Sequence, residues 1–265
     1  MQEYRMPNRP QDSNKGTFGR VLNFAGSANY IGASYLSTLG VLKAGAGYVT
    51  LASEEKIIDS VSKLLPEAVY SDTENGIKNI EKYNVCILGC GLGQTKKAVK
   101  IVTEVLKNVK CPLIIDADGL NIISDLDCKL PENTVITPHP MEAARILGMG
   151  LSDVLADLQG AAKILTNKYN CVTVLKSHRT VIHSKDNVCI NQHGNSALAK
   201  AGSGDVLSGI IAGLMAQKMT PFEAAKLGVY LHSRAGEIAS EELTEYSVLA
   251  SDILKYLPDA IREIL

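Results

Sequence analysis

The chain has 265 residues, 46% of them hydrophobic and 21% charged, which is enough apolar material for one large buried core. Lys and Arg number 27 against 28 Asp and Glu, for a formal net charge of −1. No global basic field therefore draws in nucleic acid or an anionic membrane. An anionic ligand must be held by local devices: backbone amides, helix N-termini and a few cations.

The six cysteines, Cys86, Cys90, Cys111, Cys128, Cys171 and Cys189, form no CxxC pair. They are expected to be free thiols in a reducing compartment. The opening residues lack the basic-then-apolar pattern of a signal peptide, and no apolar run is long enough to span a bilayer. The expected location is the cytoplasm.

Residues 1–19 are polar, carry Pro7, Pro10 and Gly16, and are expected to form an irregular lead-in, an arm for a partner subunit. From residue 20 to 265 one alternating domain is expected. Val21–Ala25 predicts a strand, Ala33–Lys43 a small-residue helix, and Tyr48–Ala52 a strand. Ile57, Ile58, Val61, Leu64 and Leu65 have helical spacing within 54–65. Further strands are predicted at 85–88, 112–116, 135–137, 171–175 and 180–183, with Val188–Ile190 paired to the last. Helices are predicted at 96–106 and from a Ser152 N-cap to about 168. The C-terminal part is predicted helical over 206–217, 221–243 and two short final helices. Continuous apolar strands between helices predict a mostly parallel central sheet flanked by helices on both faces.

The informative motifs follow strand ends, where such sheets bind ligands. Gly89-Cys90-Gly91-Leu92-Gly93 lets backbone approach a ligand, although the spacing is neither a dinucleotide fingerprint nor a phosphate-binding P-loop. Gly26–Ala33 is a similar loop entering a helix. Asp116-Ala117-Asp118-Gly119-Leu120-Asn121 sets two acids and an amide just past a strand, and at least one acid is expected to line the site. Thr137-Pro138-His139-Pro140 holds a histidine in rigid backbone. Lys176-Ser177-His178-Arg179-Thr180 places cations and hydroxyls in one short loop, read either as a phosphate cradle or as a solvated turn.

The strongest signal is Gly194–Asp205, which ends in Ala201-Gly202-Ser203-Gly204-Asp205 before an apolar helix. Free amides and the dipole at that helix start form an anion site. A carboxylate beside it can take a proton from a hydroxyl attacking phosphorus. Asp205 is therefore the candidate general base.

These segments, with Lys43-Ala44-Gly45-Ala46-Gly47, Val174-Leu175-Lys176 and Tyr230-Leu231-His232, occur in the order that resembles the NAD(P)H-hydrate dehydratases of the ribokinase-like superfamily. The resemblance runs from about Gly16 to Pro258. It implies removal of water from the S form of hydrated NADH or NADPH, at the expense of ADP (or ATP), with Mg²⁺ and release of AMP and phosphate. It implies Asp205 as base. It implies Lys176, Ser177, His178, Arg179, Thr180, Gly202, Ser203 and Gly204 at the nucleotide, and Ala33, Gly91, His139, Asn195, Asp118 and Asp205 at the hydrated dinucleotide. No metal ligands are assigned. A homotetramer is the expected assembly, and no epimerase domain is expected in the 19 residues ahead. Cys90, Met141 and Ser177 depart from the residues usual in the family. The competing readings are a vitamin-alcohol kinase of the same fold and a non-enzymatic nucleotide sensor; the carboxylate of Asp205 argues against the second.

Overall fold

In a computed structural model, residues 4–126 and 128–265 are described; residues 1–3 of the expected lead-in lie outside them. In chain order the elements are β1 (Arg20–Phe24), α1 (Ile31–Lys43), β2 (Tyr48–Ala52), α2 (Glu55–Val61), β3 (Val69–Ser71), α3 (Thr73–Lys78) and β4 (Val85–Leu88). There follow α4 (Lys96–Asn108), β5 (Leu113–Ile115), α5 (Asp118–Ser124), β6 (Thr134–Ile136), α6 (Pro140–Leu147), α7 (Leu151–Ala156) and α8 (Leu158–Tyr169). The rest are β7 (Val172–Leu175), β8 (Val181–His183), β9 (Val188–Ile190), α9 (Ser203–Ala216), α10 (Pro221–Ser247) and α11 (Ala250–Arg262).

The strands form one sheet in the order β3-β2-β1-β4-β5-β6-β7-β8-β9. The first seven in this order are parallel, and β8 and β9 add antiparallel. Parallel strands buried on both faces need apolar residues at successive positions. Val21, Val49, Leu51, Val85 and Ile87 face one core with α1, α9, α10 and α11. Leu22, Phe24, Cys86, Leu88, Leu113 and Ile115 face the other, with α4, α5, α6 and α8. The alternation is the period of two that a pleated strand imposes.

Helix α9 lies almost wholly buried against α1. A side chain at Gly209 would begin 2.2 Å from the Ser37 carbonyl oxygen, so only glycine permits this crossing. Asn23, buried in β1, donates to Ser37 Oγ at 2.8 Å and Thr38 Oγ1 at 3.0 Å and ties the same helix to the sheet.

Several expected boundaries move. The helix expected from Ser152 is two helices. Asp157 leaves the helical region (φ −140°, ψ 78°), and its carboxylate caps α8 by accepting from Gly160 N at 2.8 Å. Helix α2 ends at Val61, and the chain passes through turns to Leu65, where Pro66 disfavours helix in the residue before it. The two short final helices are one, α11, carried through Pro258 by its buried Ile253, Leu254, Leu257 and Ala260. Strand β3 has only three residues and was not anticipated.

Candidate active site

Every feature below sits where strand ends meet the start of α9. Asp116, directly after β5, is buried and held by three donors. Lys176 Nζ lies 2.8 Å from its Oδ1, the Ala117 amide 2.9 Å from the same oxygen, and Ser208 Oγ 2.7 Å from Oδ2. Burial opposes its charge, but the Lys176 ammonium and these donors hold its carboxyl below the usual range. The turn is strained, since Ala117 has φ 48° and ψ −119°. Such a conformation costs of the order of 1–3 kcal/mol and persists only where its surroundings enforce it.

Asp205 lies in the first turn of α9, with a Cys90 thiol and the Asp116 carboxylate all within 4.8 Å of one another. Burial, reinforced by the Asp116 charge, pushes the Asp205 carboxyl up to about 6. Burial and the nearby carboxylates raise the Cys90 thiol well above its ordinary value, so it stays neutral beside Asp205. Gly202 enters the helix at φ 91° and caps it with no side chain. Among the described residues no acceptor in the chain takes the Gly204 or Asp205 amides. A Cβ on Gly204 would stand 3.3 Å from Lys176 Nζ. The amides, the ammonium and the carboxylate therefore converge on one small space.

His232, on α10, supports that turn. Its Nε2 lies 3.0 Å from both the carbonyl and the hydroxyl oxygen of Ser203. Burial pushes its pKa down to about 4, leaving a neutral ring that donates to the carbonyl.

On the β6 side, His139 caps α6. Its Nδ1 accepts from the Met141 and Glu142 amides at 3.1 and 3.2 Å, and Glu142 Oε2 accepts the His139 amide at 2.8 Å. Two donors on Nδ1 require the proton on Nε2, which faces Glu142 Oε1 at 3.4 Å. Burial raises the Glu142 carboxyl to about 7.

The Lys176–Thr180 loop joins β7 to β8. Thr180 Oγ1 donates to the Ser177 carbonyl and accepts the Ser177 amide, Ser177 Oγ accepts the Arg179 amide, and the Arg179 guanidinium donates to the Gln192 carbonyl. His178 and Arg179 are exposed. On the opposite side, Gly91 at φ 65° turns against α1, where a Cβ would meet those of Ala33 and Tyr30 at 2.7 Å. Asp118 accepts the Gly93 amide at 2.8 Å. Asn195 is engaged within the fold, donating to Ser240 Oγ at 2.8 Å and accepting the Ala197 amide at 3.1 Å.

The structure thus gathers Asp205, Gly202, Ser203, Gly204 and Lys176 at one point, with Gly91 and Ala33 on one flank and His139 on another. Of the two acids in the Asp116–Asn121 segment it places Asp116 at the centre, and it adds Ser208 and Glu142; Cys90 and His232, named in the sequence only within glycine-rich or family motifs, fall beside Asp205 and the α9 turn. Asp116 carried a signal as an acid directly past a strand, and His232 as part of the Tyr230-Leu231-His232 motif; Ser208 and Glu142, inside helices, carried none of their own.

Residues 21–259 match the family described as NAD(P)H-hydrate dehydratase. The chain is 37% identical to an ADP-dependent (S)-NAD(P)H-hydrate dehydratase of Neisseria meningitidis, over 88% of this chain and 81% of that protein. With a protein of the same description from Bacillus subtilis it shares 34% identity over 96% and 92%. It also shares 36% identity with a bifunctional NAD(P)H-hydrate repair enzyme of Thermofilum pendens, covering 98% of this chain and 53% of that protein. The chain thus spans about half the length of the bifunctional relatives. Among solved structures, an ADP/ATP-dependent NAD(P)H-hydrate dehydratase from Bacillus subtilis, co-crystallised with ATP and Mg²⁺, superposes with a TM-score of 0.89 at 32% identity, covering 98% and 95% of the two chains. A hydroxyethylthiazole kinase from Pyrococcus horikoshii, at 13% identity and a TM-score of 0.64 over 94% and 90%, shares the fold alone. The chain belongs to the NAD(P)H-hydrate dehydratase family and has its ribokinase-like fold.

Proposed function

We propose that the chain dehydrates the S form of hydrated NADH or NADPH, spending the terminal phosphoryl group of ADP and releasing AMP and phosphate. Asp205 carries the reading: its carboxylate, pushed up to about 6, stands beside unpaired amides and the Lys176 ammonium. A base of that acidity is matched to work near neutral pH.

The Gly202–Gly204 turn and the Lys176–Thr180 loop would receive the nucleotide phosphates. Gly91, Ala33 and His139 would seat the hydrated dinucleotide, with Asp118 and Asn195 farther out. Asp205 takes the proton of the ring hydroxyl as its oxygen attacks the terminal phosphorus and AMP leaves. The ring nitrogen's lone pair then breaks the carbon–oxygen bond and expels phosphate. Loss of a proton from the adjacent ring carbon restores the dihydropyridine. Phosphorylation thus turns a poor leaving group into a good one.

The carboxylates fit Mg²⁺ as a phosphate-bound ion. Both Asp116 oxygens already serve protein donors, so Asp116 would reach the ion through water, and the neutral, soft Cys90 thiol is not a ligand for it. The ion supplies charge neutralisation at the phosphates. Six cysteines, none of them in a disulfide, suit a reducing cytoplasm, and no described helix is long and apolar enough to cross a membrane. The family resemblance adds a homotetramer, which light scattering checks.

The test mixes the protein with hydrated NADH, Mg²⁺ and ADP or ATP and follows the reduced-nicotinamide absorbance. Return of the band with ADP is expected. No return with either nucleotide, alongside phosphorylation of a vitamin alcohol, assigns a kinase instead.

A further inference from the structure

A cleft of about 380 Å³ opens over the carboxyl ends of β1, β2 and β4, its lining residue Leu92 two positions along the chain from Cys90, which lies close to Asp205. Phosphoryl transfer uses none of its far wall. The strand order explains what it is free to hold. Lys176 follows β7, three strands from β4 on one side, whereas β1 and β2 lie on the other. A nucleotide on the Lys176 loop therefore leaves the β1–β2 side for the second ligand. The Gly91 turn, packed on Ala33 and Tyr30, joins Asp205 to the cleft. The cleft is of a size to take half a dinucleotide.

Its far end has a defined electrostatic character. Glu54, the residue after β2 and Ser53, crosses to α4 and accepts from Lys97 Nζ at 2.8 Å. Glu54 stands at the N-cap of α2 but makes no side-chain cap bond, so its carboxylate is not spent on that helix. The other lining carboxylate is Asp118, and Lys97 is the one cation among the described lining residues. Two carboxylates against one cation leave the cleft net negative. An ionised carboxylate accepts hydrogen bonds from ribose hydroxyls and repels a 2′-phosphate.

We propose that this cleft takes the adenosine half of the dinucleotide. In it Glu54, steadied by Lys97, accepts the 2′-hydroxyl, so that hydrated NADH is preferred to hydrated NADPH. This rests on the dehydratase reading above.

The test is kcat/KM for both hydrates with the wild type, Glu54→Gln and Lys97→Ala, with thermal midpoints as a folding check. The wild type is expected to favour hydrated NADH by about tenfold or more. Glu54→Gln lowers KM for hydrated NADPH and narrows the ratio by roughly fivefold, with kcat nearly unchanged. Lys97→Ala leaves the Glu54 charge uncompensated and widens the preference. A purely structural role would move both hydrates together. Equal use of the two hydrates by the wild type, or a ratio unmoved by Glu54→Gln, overturns the inference and leaves the dehydratase reading intact. Turnover of neither hydrate overturns both.

Discussion

Lys176 Nζ lies 2.8 Å from Asp116 Oδ1 across 60 residues of sequence, and this pair conditions the acidity of Asp205 beside it. The ammonium keeps Asp116 ionised despite its burial. After burial itself, that fixed negative charge is the largest influence raising the neighbouring Asp205 carboxyl. A structural ion pair thereby helps poise a base.

Asp205→Asn keeps the shape and removes the proton acceptor. Turnover is expected to fall by about 10²–10⁴-fold while nucleotide still binds. Because the folded carboxyl is raised to about 6, wild-type stability falls as pH rises from near 4 through 6 and stays lower above it. The variant is spared that fall. Chemical denaturation at pH 8 should find it more stable, by about 1–2 kcal/mol after discount for solvent screening. Near-normal turnover would remove Asp205 from the mechanism.

The pH profile follows from the same group. For the hydrated substrate, kcat/KM should rise with an acid limb near pH 6, as Asp205 loses its proton in the free enzyme. Stopped assays from pH 5 to 8 check this. A limb near pH 4 would mean that burial and Asp116 do not act on Asp205 as the geometry requires.

Lys176→Met retains the stem and deletes the ammonium. Asp116 then remains as a buried charge with only hydroxyl and amide donors. A loss of about 3–5 kcal/mol is expected at neutral pH. In the wild type the lowered Asp116 carboxyl stabilises the fold above its unfolded pKa and ceases to do so in acid. In the variant that contribution is gone, so the gap between the two proteins should close as pH drops toward 4. Urea titrations at pH 8 and pH 4.5 read this out; an equal gap at both would contradict it.

Gly209→Val probes the contact between α1 and α9. Its Cβ would stand 2.2 Å from the Ser37 carbonyl, which is backbone and cannot rotate away. The helices must separate, and with them the first turn of α9 shifts. A destabilisation of about 3 kcal/mol or more is expected, with turnover reduced in the fraction that folds. A thermal midpoint within a degree of wild type would show that the crossing has slack.

Local chemistry was legible in the chain itself. Apolar runs of four or five residues between helical spacings marked most of the strands, because burial on both faces demands apolar residues at every position. The glycine turn at 202 and the acid at 205 marked the start of α9, because a left-handed residue and an uncapped first turn leave a local signature. Short elements were missed: β3 has three residues, too few for any period to show. The break at Asp157 was missed because it rests on one residue's backbone angles.

What the sequence by itself determined is the alternation of strand and helix, the loops that follow the strands, and the acid at the start of α9. Those follow from bonds and burial within a few residues of one another. Only the tertiary structure decided that Lys176 meets Asp116, that Ser208 meets it across 92 residues, that Cys90 lies beside Asp205, and that Glu54 reaches Lys97. Each contact depends on strand order. Strand order is set by how the whole sheet buries its two faces, a global balance that no short segment expresses.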